Sequence, residues 1–165
     1  MLSLLISSLL MLTNCRSKQT KPEDSAATST TQDDTAVDST PMSFDPAGSD
    51  SGKIEGLQTV HFGFDKSTLN SEARKTIQAN VDWMKANAGT KVQIEGHCDN
   101  RGSIEYNVAL GERRANAVKD YMISLGVAPS RLSTISYGEE KPLESGDNEA
   151  AWAQNRRANF VPSAL

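Results

Sequence analysis

The chain of 165 residues carries 17 Lys and Arg against 21 Asp and Glu, a net charge of −4 at pH 7. That length suits one ordinary domain with extra segments, and the mildly acidic balance excludes the basic field of a typical nucleic-acid binder. Apolar residues make up 37% of the chain, but they gather in the first dozen positions and again from Leu57 onward.

The opening stretch, MLSLLISSLLML, is a nearly unbroken apolar run. A membrane-spanning helix needs about 20 such residues, so the run is too short for that and fits the core of a secretory signal peptide over residues 1–14. It is followed by LTNC, Leu12 to Cys15, which resembles the lipobox of bacterial lipoproteins. In that class the cysteine thiol receives a diacylglycerol, the signal is cut just before it, and the freed amino group is acylated. The resemblance makes Cys15 the lipidation site, and Arg16 after it implies sorting to the outer membrane. Export also sets the redox context. The chain has two cysteines, so a lipidated Cys15 leaves Cys98 as a free thiol at a strand end with no disulfide to form.

From residue 15 to 54 the sequence is rich in Ser, Thr, Asp, Ala, Pro and Gly, with Val37, Met42 and Phe44 its few sizeable apolar residues. Such a segment buries too little surface to offset its ordering entropy and reads as a disordered polar tether. Its coil dimension would be on the order of 35 Å.

Residues 55–165 alternate in period. LQTVHFGF (Leu57–Phe64) reads as a strand with Val60, Phe62 and Phe64 on one face. Asn70 then caps a helix whose stripe is Ala73, Ile77, Val81 and Met84, and which stops near Gly89. Thr90–His97 is a second strand. Ser103 caps a long helix ending at Gly126, RLSTISYG is a third strand, NEAAWAQN a short helix and RRANFVP a last strand. This order predicts helices packed on a sheet.

In the long helix, Asn107, Leu110, Gly111, Arg114, Val118, Tyr121 and Leu125 fall in one inward sector at about 100° per residue. Arg113 points the other way, to solvent. An inward guanidinium needs an anion, and two are available: Asp99, just before the helix, or the carboxylate of an external ligand. Asp99, Arg114 and the amides of the turn DNRGS suit a zwitterion, the acid for an ammonium and the arginine for a carboxylate. An Asp99–Arg114 salt bridge that pins loop to helix fits the same spacing. Catalysis is a third possibility, because Glu95, His97 and Asp99 alternate onto one strand face. However, with His61 and His97 the only histidines and no catalytic spacing, His97 reads as an orienter of the adjacent loop.

The stretch EGHCDNRGSIEYNVALGERRANAVKDYM resembles the signature of the OmpA C-terminal-like domain family, and within it the peptidoglycan-associated lipoproteins. VHFGFDK, ISYGEEKP and NEAAWAQNRRA extend the similarity over nearly all of residues 57–160. The resemblance implies an α/β two-layer sandwich: a βαβαβ core with helices on one face of a mixed sheet. It further implies non-covalent binding of the meso-diaminopimelate stem of peptidoglycan, with no catalytic residues, metal or cofactor. Asp99 and Arg114 match the family's ligand-binding pair. Asn107, Leu110, Phe64, Asp65, Arg101 and Gly102 match positions around them. A TolB-type periplasmic partner, membership of the Tol-Pal system and a role in outer-membrane invagination at division follow from the same resemblance. The alternatives are a wall-binding lipoprotein outside that system or a peptidoglycan hydrolase.

Overall fold

The computed structural model describes residues 47–164. The predicted signal peptide, Cys15 and the tether up to residue 46 lie outside the described residues. Four strands and three helices follow in the order β1 (Val60–His61), α1 (Ser71–Ala86), β2 (Thr90–His97), α2 (Ile104–Ser124), β3 (Leu132–Gly138), α3 (Glu149–Asn155) and β4 (Arg157–Ala164). The sheet order is β1-β4-β2-β3. β2 runs parallel to β3, with Val92 opposite Leu132, and antiparallel to β4, with Ile94 opposite Phe160. It is the mixed-sheet α/β sandwich that the resemblance implies.

Asn70 and Ser103 cap their helices as predicted, and Asn148, read from the sequence as the first residue of the short helix, caps it instead. Asn70 Oδ1 accepts from the Ala73 amide at 2.8 Å, Ser103 Oγ from Tyr106 at 3.2 Å, and Asn148 Oδ1 from Ala151 at 3.0 Å. Each satisfies one amide that the first helical turn leaves without a partner. At the other end of α1, Arg131 donates to the carbonyls of Met84, Asn87 and Thr90.

Val92, Ile94, Ala158 and Phe160 turn one face of the sheet towards α1 and α2, where they meet Ile77, Val81, Met84, Ala115, Val118 and Met122. Burying a side chain of this size is worth about 1.5–3 kcal/mol, so this layer supplies most of the drive to fold. The buried arc of α2 is wider than the predicted sector. Ala115 and Met122 are fully buried while Tyr121 and Leu125 pack at the margin, because α2 touches α1 as well as the sheet. Gly96 of β2 lies against Gly111 of α2 so closely that a Cβ on Gly96 would fall 1.9 Å from the Gly111 carbonyl oxygen. Helix and strand therefore meet backbone to backbone just where β2 runs out into the Asp99 loop.

Two elements differ from the sequence reading. β1 is two residues long rather than eight. Its flanks are satisfied by side chains instead of a ladder: the buried Asn80 exchanges two hydrogen bonds with the Gln58 backbone, at 2.9 and 2.7 Å, and Arg156 takes the Phe62 carbonyl. Phe64, predicted to share the inward face, is 57% exposed as a result.

The tether boundary at residue 54 is also too late. Residues Gly48–Ser51 form a 3-10 turn strapped under the second face of the sheet. Asn159 on that face donates to Ala47 O and to Glu95 Oε2 and accepts from the Asp50 amide and Ser49 Oγ. Arg157 Nε donates to Asp50 Oδ2 at 2.7 Å, both side chains being fully buried. These polar residues have no signature in composition, but they find partners on the polar underside.

Candidate ligand-binding site

The loop between β2 and α2, the turn after β1 and the start of β4 converge on Asp99. Its residue exposure is 4%, and its carboxylate is held by two guanidiniums. Arg101 approaches in a fork, Nη2 to Oδ2 at 2.7 Å and Nε to Oδ1 at 3.2 Å, and adds its backbone amide to Oδ1. Arg156 reaches Oδ2 through Nη1 at 3.2 Å, with Nη2 on Glu149 and Nε on the Phe62 carbonyl. Burial opposes ionisation of Asp99, but the bonds from Arg101 and Arg156 outweigh it and hold the carboxyl below its usual range.

Arg101 is the outer of the two, with its side chain 30% exposed. Its guanidinium is sandwiched between the Phe64 ring at 4.1 Å and the Trp152 ring at 4.0 Å, the stacked arrangement that favours Arg over Lys. Asp65 lies beside Phe64 in the left-handed region, with φ 53°, and its carboxylate accepts from the Tyr106 hydroxyl. Gly102, with φ 123°, lets the loop turn over Asn107. Asn107 Nδ2 donates to the carbonyls of Asp99 and Arg101 and to Glu139, fixing the loop to α2.

Arg114 is fully buried and meets no carboxylate. Nε donates to Lys66 O at 2.9 Å, Nη1 to His97 O at 2.7 Å and to Cys98 Sγ at 3.3 Å, and Nη2 to Gly63 O at 3.3 Å. The Asp99–Arg114 salt bridge is thus absent among the described residues, and the carboxylate expected for Arg114 is bound by Arg101 and Arg156 instead. Desolvation lowers the arginine's pKa, which makes its charge less favourable than in water. Arg113, one residue earlier, is exposed as predicted.

The structure therefore draws together Phe64, Asp65, Asp99, Arg101, Gly102, Asn107 and Arg114, while Leu110 is a buried apolar residue of α2. Arg156, Glu139 and the stacking role of Trp152 escaped the sequence reading; the repeated RRAN, at Arg113 and again at Arg156, is the signal that could have drawn attention to Arg156. His97 is not the hydrogen-bonded orienter expected. Both ring nitrogens are buried without a partner, the nearest carboxylate oxygen, on Glu95, is 3.6 Å away, and the ring stacks on Tyr137. Cys98 is a free thiol as expected, but it does more than pack: its Sγ donates to Asn107 O at 3.3 Å. Among the described residues no group of three or more His, Cys, Asp and Glu could hold a metal ion.

The OmpA family model matches residues 61–156, the span that contains this site. The chain belongs to the OmpA family. Within it, the chain is similar to the peptidoglycan-associated lipoprotein of Pseudomonas putida, 44% identical over 112 residues, covering 68% of this chain and 67% of that one. It is 50% identical over 100 residues to the protein of the same name from Pasteurella multocida, covering 61% and 67%. The crystal structure of the peptidoglycan-associated lipoprotein from Burkholderia pseudomallei superposes with a TM-score of 0.62 at 36% identity, over 69% of this chain and 93% of that one. The C-terminal domain of Helicobacter pylori MotB also superposes, with a TM-score of 0.62 at 21% identity over 67% and 87%, which shows a shared fold alone.

Proposed function

We propose that the chain is an outer-membrane lipoprotein, acylated at Cys15, whose folded region binds the diaminopimelate stem of peptidoglycan non-covalently and so ties the membrane to the wall. One observation carries the reading: Arg114 is a fully buried cation in contact with carbonyl oxygens and a thiol, and with no carboxylate. A charge in that state is costly, and an external carboxylate relieves the cost. The oxygens over it at Gly63 and Lys66 belong to an exposed turn, so a ligand reaches Arg114 by displacing that turn rather than by opening the core.

The ammonium of the same ligand goes to Asp99. It takes the place of Arg101, the more exposed member of the pair. Diaminopimelate carries ammonium and carboxylate on one side chain and can bridge the two positions. The names of the relatives support this ligand, and the lipobox supports the anchor. The Tol-Pal assembly, a TolB-type partner and a role at cell division belong to the same proposal.

Binding without chemistry fits the electrostatics. A glycosidic or amide hydrolase needs a carboxyl still protonated near neutral pH, or an accessible base. Asp99 is held ionised and His97 is sealed in the sheet.

Co-sedimentation with purified diaminopimelate-type sacculi tests the reading. Asp99→Asn and Arg114→Lys are expected to weaken retention at least about tenfold, or about 1.4 kcal/mol, with circular dichroism unchanged. Undiminished retention by both folded variants would overturn it. Loss of palmitate-analogue incorporation in Cys15→Ser checks the anchor.

A further inference from the structure

Asp99 has two guanidinium partners that differ in kind. Arg101 is stacked between two rings and partly in solvent, whereas Arg156 is 6% exposed and is tied at three points belonging to three different segments. Its Nε is on the Phe62 carbonyl beyond β1, its Nη2 on Glu149 of α3, and its Nη1 on Asp99. Arg156 also carries the backbone carbonyl that receives the Phe62 amide at 2.9 Å, so its main chain and side chain both grip the strand leading to Phe64. When a ligand ammonium takes the place of Arg101, Arg156 is the charge that stays.

We infer that Arg156 is a positioning residue of this site: it holds Oδ2 of Asp99 in place from behind, so that the carboxylate keeps its charge and aim while Arg101 is exchanged for the ammonium of the ligand. This rests on the reading of the site as a binder of an ammonium-bearing peptide.

The mechanism follows from geometry. A carboxylate that loses its only strong donor rotates to find water, and an incoming ammonium then has to re-order it. A fixed second donor on Oδ2 removes that cost and leaves both oxygens facing the place that the Arg101 guanidinium vacates. A guanidinium suits the task because its fork can satisfy Asp99, Glu149 and the Phe62 carbonyl at once, which a single ammonium on a Lys side chain cannot do. The other charged groups around Asp99 are Arg101 on its own loop, Glu149 of α3, 3.9 Å from Arg101, and Arg114 of α2, which makes no ion pair with it.

The test uses the full chain in detergent with two readouts: titration of the Asp99 side-chain carboxyl by carbon NMR, without ligand, and retention on diaminopimelate-type sacculi between pH 4 and 8. For Arg156→Gln we expect the Asp99 midpoint to move up by about one unit, the loss of one close opposite charge. The acid limb of sacculus retention should move with it, and affinity at pH 7 should drop about tenfold. Arg156→Lys should restore most of the titration shift while leaving affinity about three- to tenfold down, which separates aim from charge. Arg113→Gln, on the solvent side of α2, should change neither readout.

Wild-type titration and retention in both Arg156 variants would overturn the inference. If Arg156→Gln does not fold, Arg156→Lys decides it, because full affinity there excludes a positioning role. Failure of the unmodified chain to bind sacculi would sink the proposed ligand, while the Asp99 titration would still decide what Arg156 does to the carboxylate.

Discussion

Arg114 in α2 and Arg157 at the head of β4 are both wholly buried, yet their surroundings differ in kind. Arg157 is closed by Asp50 at 2.7 Å, a carboxylate as buried as itself, within a polar layer completed by Asn159, Glu95 and Ser49. Arg114 has only neutral acceptors. The first arrangement is complete without anything from outside. In the proposed function the second is a cation that awaits a ligand carboxylate, and two of its acceptors lie on the exposed turn of Gly63 and Lys66. What separates the two buried arginines is the kind of partner each has, not the degree of burial.

The largest effect that could break this contrast is on stability. Asp50→Ala leaves Arg157 buried with no counter-ion and should cost about 3–5 kcal/mol in urea unfolding. Arg114→Met removes a cation that has no contacting carboxylate. Water can reach the freed turn carbonyls, so the cost should be smaller, about 1–3 kcal/mol. Equal losses would mean that both arginines are structural in the same sense.

A second prediction concerns pH and the polar layer. Burial pushes the His97 pKa below the ordinary histidine value of 6.5, and Glu95 only partly offsets it. The unfolded chain therefore takes up this proton first as pH falls, so His97 contributes stability above 6.5 that is lost progressively below it. Urea midpoints at pH 7.5 and 5.5 should differ in that direction, and His97→Phe should flatten the difference. An unchanged slope in the variant would remove His97 from the account.

The smallest effect concerns Cys98, which could supply the missing anion if it were a thiolate. Burial pushes its pKa up to about 11, so at neutral pH Arg114 faces a thiol. Alkylation by iodoacetamide at pH 8 should be slow in the folded chain and fast in urea. Rapid labelling of the folded protein, with the thiolate absorbing near 240 nm, would erase the distinction between Arg114 and Arg157.

Much of this was legible in the residues. The caps Asn70 and Ser103, the stripe of α1 and the span of β2 follow from local spacing, and the structure keeps them. The inward phase of Arg114 was readable too, because helical periodicity is set by adjacent turns. What periodicity could not carry is pairing at long range. That Asp99 shares its carboxylate with Arg156 depends on how β4 begins relative to the loop after β2, more than fifty residues apart in sequence. The same limit hid the strap. Nothing in the composition of GSDS distinguishes it from the polar residues before it, and only the Asn159 and Arg157 side chains under the sheet do so.

That strap also has a mechanical meaning. A pull applied to the chain ahead of Ala47 meets the Asn159 bonds to Ala47 and Asp50 and the Arg157–Asp50 pair before it reaches β1. The load therefore passes into β4, which is laddered to β2 along seven residue pairs, and bypasses a strand held by two. Without the strap, β1 would unzip first, and the turn that carries Phe64 and Asp65 would go with it. By taking the strain into the middle of the sheet, residues 47–51 let the domain be pulled from its N-terminal side without disturbing the residues around Asp99.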